Sequence, residues 1–161
     1  MDAKSAISII RALSSLSWRW DEPSWRAAAQ QLGLRESRAV RGRISYLSPE
    51  NETLSAYFDG DRLEFVEVTL DLFRDPELLS EAGYTEKIAE FREKFEELVG
   101  LTTAFLGDPV FSGPASAGEF PEDQDALRLA LWPVTEGRLM IEQKHEDKEL
   151  PIRVSVVVTP A

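Results

Sequence analysis

The stretch from Thr85 to Gly107 constrains this chain more than any other. Ile88, Phe91, Phe95, Leu98, Val99, Thr102, Phe105 and Leu106 recur at helical spacing and mark one broad apolar face. Thr85 is placed to cap that helix, Gly107 to end it, and Pro109 forbids its resumption. So wide an apolar face has to be covered, and the flanking segments supply the cover because they alternate with period two. Ahead of the helix, strands are expected from Arg41 to Leu47, through Leu54, Ala56 and Phe58, and from Leu63 to Leu72. Behind it come Leu127, Leu129 and Leu131, then Leu139 and Ile141, then Ile152, Val154, Val156 and Val158. With two opening helices the order is α-α-β-β-β-α-β-β-β. The fold class is α+β, helices packed on a mainly antiparallel sheet, in a single domain over residues 1–161.

Local signals sharpen this outline. Ile7, Ile10, Leu13 and Leu16 form the stripe of the first helix. Asp21 suits an N-cap with Pro23 in the first turn of the second helix, and Gly33 suits its stop. Trp18, Trp20 and Trp25 lie within eight residues, and their large apolar areas assign them to the core. Asp59-Gly60 marks a hairpin of type I′. In the strand after it, apolar residues move from odd positions (Leu63, Phe65) to even ones (Val66, Val68, Leu70, Leu72), which predicts a β-bulge near Phe65-Val66.

Charge narrows the partners. The chain of 161 residues carries a net charge of −11 and no cysteine, so disulfides, thiolate metal sites and cysteine catalysis are excluded. Residues 1–43 hold 8 basic and 4 acidic side chains, net +4, and residues 44–161 hold 10 and 25, net −15. Such a field opposes a nucleic-acid partner and suits a basic protein. Arg35, Arg38, Arg41 and Arg43 form a local cationic cluster without interleaved aromatics, expected to pair with carboxylates of neighbouring strands. Met1 opens a polar segment with no apolar signal region, and no run is long enough to span a membrane, so the expected location is the cytoplasm.

Two acidic features stand out. Glu86, Glu90, Glu93 and Glu97 fall in a narrow stripe opposite the apolar face of the long helix, with no cation in the stripe. Residues 111–125 have no apolar period and read as a flexible acidic loop bearing Glu119, Glu122, Asp123 and Asp125, its ends marked by Phe111 and Phe120. The search for catalytic machinery names no residue. His145 stands alone in a polar turn and is expected to be solvated, and no nucleophile elbow, P-loop or GxGxxG occurs. Asp59-Gly60-Asp61 matches a hairpin rather than a calcium loop. No catalytic residue, metal ligand or cofactor is assigned.

Four short motifs occur together: Leu16-Ser17-Trp18-Arg19-Trp20, Leu32-Gly33 after Trp25, Leu106-Gly107-Asp108-Pro109, and Ala126-Leu127-Arg128-Leu129. In this the chain resembles a family of small single-domain actinobacterial proteins of unknown function, from about Ile7 to Val158. Family members carry a tryptophan shortly before the late Leu-Arg-Leu strand, where this chain has Glu119-Phe120-Pro121-Glu122-Asp123. The resemblance implies a small companion of polymorphic toxins or secretion systems. The expected function is a non-enzymatic protein-binding domain, an immunity protein neutralising a cognate basic secreted toxin. The alternatives are a secretion or effector chaperone, and a small carboxylate-dependent enzyme or ligand-binding domain.

Overall fold

The computed structural model describes residues 2–161. Helices α1 (Ala3–Ser15) and α2 (Glu22–Gln31) precede four strands, β1 (Arg35–Val40), β2 (Arg43–Leu47), β3 (Thr53–Asp59) and β4 (Arg62–Phe73). A 3-10 turn at Pro76–Leu78 leads into α3 (Glu81–Leu106). Strands β5 (Phe111–Pro114), β6 (Arg128–Val134), β7 (Gly137–Lys144) and β8 (Ile152–Thr159) follow. All eight strands join one sheet in the order β1-β2-β3-β4-β8-β7-β6-β5, antiparallel at every contact. The α+β class stands, with two more strands than the periodicity predicts. Both extra strands, β1 and β5, are sheet edges. All six residues of β1 are exposed, so it has no alternating pattern, and β5 has only four residues, too few for its alternation to signal a strand.

The sheet has two chemically distinct faces. Its inner face carries Ile44, Tyr46, Leu54, Ala56, Val66, Val68, Ala130, Trp132, Leu139, Ile141, Val154, Val156 and Val158, and this row builds the main core with the helices. Helix α2 contributes Trp25, fully buried and packed edge-on against Trp18 at 5.4 Å and Tyr46 at 6.2 Å. Trp20 is half-buried, and its Nε1 donates to the Glu136 carbonyl at 2.7 Å. The tryptophans are core residues, as their size predicts.

Several termini follow the sequence signals. Asp21 caps α2 by accepting from the Ser24 N–H at 2.8 Å, and Gly33 follows the helix with φ of 69°. Helix α3 begins one turn before Thr85, capped by Ser80, whose Oγ accepts from the Gly83 N–H at 3.0 Å. The first turn, Glu81-Ala82-Gly83-Tyr84, has no apolar stripe to signal it. In the hairpin after β3 the two loop residues are Gly60 and Asp61, since Asp59 pairs with Arg62. Only Gly60 has positive φ, 62°, which is the II′ pattern rather than I′.

The predicted bulge exists: Tyr57 faces Phe65 and Phe58 faces Leu63, leaving Glu64 as the extra residue. A second irregularity leaves Leu70 unmatched between Thr69 and Asp71 against β8. It turns the end of β4 over, so that Leu72, expected inside, is 37% exposed and Phe73 packs on the core instead. Arg41, expected in a strand beside Arg43, lies in the two-residue turn between Val40 and Arg43.

Gly137 begins β7 where the backbone of β8 passes closest. A Cβ there stands 2.0 Å from the Thr159 carbonyl oxygen, a backbone atom that cannot swing away. Gly137→Ala is expected to destabilise by about 1–3 kcal/mol through forced strand separation. Gly100→Ala, in an open stretch of α3 with no atom within 4 Å, is expected to stabilise by about 0.5–1 kcal/mol. Urea unfolding of the two variants measures both shifts, and their opposite signs are the check.

Candidate functional site

Helix α3 is held to the inner face by Phe91, Phe95, Leu98 and Thr102, which directs the opposite side outward. Glu86, Glu93 and Glu97 are exposed there and stand in no ion pair among the described residues. Glu90 differs. It accepts from Lys87, and Lys94, its i,i+4 neighbour, approaches it at 2.9 Å, so cations flanking the stripe reach into it. The bonds to Lys87 and then Lys94 hold the Glu90 carboxyl below the usual carboxylate range. Burial opposes the charge on Lys94, but its bonds to Asp71 (2.6 Å) and Glu90 outweigh that and raise its pKa. Lys94 arises at i+4 from Glu90, and Asp71 comes from β4, a partner only the fold supplies.

The second acidic cluster lies on the other layer. Of residues 111–125, the first four form β5, and the remainder runs over the outer face of the sheet. Phe120 meets Phe111 edge-on at 5.9 Å, and both pack on Leu129, Leu131, Met140 and Val157, so the phenylalanines anchor the segment. Glu119, Glu122, Asp123 and Asp125 are all exposed, and among the described residues Asp123 alone of the four is bound, by Arg138 of β7, whose hydrogen bond lowers its pKa. The sheet separates the two acidic clusters, four residues on α3 above it and four on the segment below.

Beneath residues 123–125 lies a cavity of about 290 Å³, lined in part by Phe65, Val157, Thr159, Lys144 and Glu146. Beside it the outer face holds a charge network with no signal in the sequence. Arg153 donates to both Glu146 oxygens at 2.7 and 2.9 Å and to Glu67 at 3.1 Å. Glu142 is fully buried, with the Lys144 ammonium 2.8 Å from Oε2. That contact balances charge but lies outside hydrogen-bond geometry, and neither Glu142 oxygen nor the facing Ser155 hydroxyl has a hydrogen-bond partner. Burial pushes the Glu142 carboxyl up despite Lys144. Burial works against Lys144 too, but attraction to Glu142 prevails and raises its pKa.

The remaining polar candidates also sit differently from expectation. Arg35, Arg38, Arg41 and Arg43 pair with no carboxylate among the described residues, because the strands beside them present Ser45, Leu47, Ser55 and Tyr57. The one acid of β1, Glu36, turns to the inner face and binds Arg26 at 2.8 Å. Nor is His145 simply solvated. Its ring is half-buried, Nδ1 lies 2.8 Å from the Tyr84 hydroxyl of α3, and Nε2 is buried without a partner. Asp59 ends β3 and Asp61 sits in the hairpin turn. Among the described residues no group of three or more His, Cys, Asp or Glu stands arranged to hold a metal ion, and no helix is long and apolar enough to cross a membrane.

The Glu142–Lys144 pair gives a pH-dependent expectation. Glu142 has a higher pKa folded than unfolded, so its contribution to stability is greatest at low pH and is lost as pH rises through the raised value. Lys144→Met leaves the carboxylate uncompensated and is expected to cost about 3–5 kcal/mol at about pH 8. The cost should be smaller at about pH 5, because burial favours the protonated form of Glu142 and lowering the pH shifts it toward that form. Adding Glu142→Gln to Lys144→Met should restore most of the stability, and urea unfolding of the wild type and both variants at the two pH values measures it.

Comparison with protein-family models, with curated proteins and with solved structures finds no match to this chain.

Proposed function

We propose that this chain is a non-enzymatic protein-binding domain, an immunity protein that neutralises a basic secreted toxin from the cytoplasm through the outward side of α3. The observation that carries this reading is the exposed set Glu86, Glu93 and Glu97, spread over about 16 Å of one helix. The helix is fixed along its length, so the charges are presented in a constant spacing and cost little to organise on binding. A row of like charges on a rigid support steers an oppositely charged partner and raises the association rate. The acids at Glu119, Glu122 and Asp125 lie across the sheet and belong to a different contact. Glu90 and Asp123 are engaged by lysines and arginine within the fold and contribute less to the outward field.

The test is charge reversal of the three free glutamates, Glu86, Glu93 and Glu97, to lysine, leaving Glu90 in place. Their exposure predicts a melting temperature close to wild type, since unpaired surface charges contribute little to stability. Association with the protein encoded beside this one is then followed by stopped flow at two salt concentrations. The expected result is an on-rate reduced about tenfold or more, and a wild-type on-rate that falls with salt. An unchanged on-rate removes α3 from the interface.

A further inference from the structure

We propose that the β1 edge is a docking strand for an extended acidic segment of a protein partner, whose carboxylates lie on Arg35, Arg38 and Arg43. This goes beyond the α3 reading, since it concerns a surface of opposite charge on another element. Strand β1 pairs with β2 on one side only, and its other edge offers a row of unpaired backbone donors and acceptors. All six of its residues are exposed. The other edge of the sheet is blunted: β5 has four residues, includes Gly113 and Pro114, and has Phe111 packed against Phe120.

The register supplies the chemistry. Arg35 faces Leu47, Arg38 faces Ser45, and Arg43 faces Val40 and Tyr57, and these partners lie on the outer face because Ile44 and Tyr46 point into the core. Three arginines are thus gathered on one side of an open edge, beside a Val40 that is 42% exposed. None has a carboxylate within 4.0 Å among the described residues, in a chain whose acids outnumber its bases by 29 to 18. An added strand that alternates acidic and apolar side chains sets all its acids on the face that carries the arginines while its backbone completes the edge.

Other occupants fit less well. A second copy of β1 brings the same arginine-bearing strand to the edge, without the carboxylates that would answer Arg35 and Arg38. A nucleic acid has no backbone groups suited to the strand edge, and its many phosphates approach against the net −15 of residues 44–161.

The probe is a fluorescently labelled peptide of about eight residues, a strand's length, alternating glutamate and valine. A lysine–valine peptide and an oligothymidylate are measured beside it against the full chain. Anisotropy is expected to show saturable binding of the acidic peptide that weakens as salt rises. Amide hydrogen exchange is expected to slow across residues 35–40. Arg38→Glu alone should weaken binding roughly tenfold, and Arg35→Glu with Arg38→Glu and Arg43→Glu should abolish it. Melting curves establish that these variants fold, and the single variant serves if the triple one does not. No binding of the acidic peptide at millimolar concentration overturns the proposal, as does equal binding of the lysine peptide, unchanged exchange in β1 or retained binding in the folded triple variant. Tighter binding of oligothymidylate overturns it in favour of a nucleic-acid surface.

Discussion

The pairing of β4 with β8 holds the structure together. It joins two four-stranded meanders, one entering the sheet from the β1 edge and the other from the β5 edge, across the only strand pairing between them among the described residues. Its register sets Val66 against Val158 and Val68 against Val156, all fully buried, and so fixes which side of every other strand faces the helices. A slip of one residue would either exchange Val156 and Val158 for Ser155 and Val157 or drive Glu67 toward the core. The unmatched Leu70 lies within this same contact and turns the last residues of β4 over. The inner core, the position of α3 and the composition of the outer face all follow from that one register.

The outer face is the less usual half of the fold. Part of it is apolar and sealed by Phe111 and Phe120, and part holds Glu67, Glu142, Lys144, Glu146 and Arg153, mostly withdrawn from water. Removing charges from water is costly, and the attraction between partners offsets that only where geometry is good. Arg153 meets this condition with both Glu146 and Glu67. Glu142 does not, having a charge partner but no hydrogen bond.

Much of the fold was legible because its signals are local. The face of α3, the Asp21 cap, the Gly33 stop and the bulge beside Phe65 each rest on residues a few positions apart. The candidate site was legible only as a set of acids. Glu86, Glu93 and Glu97 are where helical geometry puts them, but Lys87 and Lys94 offset the charge at Glu90, and Lys94 is shared with Asp71, 23 residues away in sequence. The arginines of residues 35–43 appeared to lack aromatics because Tyr57 and Phe65, stacked at 4.3 Å, reach the same face from β3 and β4. β1 was invisible because a strand exposed on both faces has no reason to alternate.

The sequence by itself determined the element types, the helix-covered face of most strands and the overall charge, since periodicity, capping residues and composition act over one or two turns of chain. Only the tertiary structure decided which charges meet. Cross-strand register placed Glu142 against Ser155 and left the β1 arginines without acids, and the sheet divided the two acidic clusters between its layers. The physical reason is that Coulombic and hydrogen-bond partners are chosen by distance in space, which for strands far apart in sequence is set by how the ladder assembles.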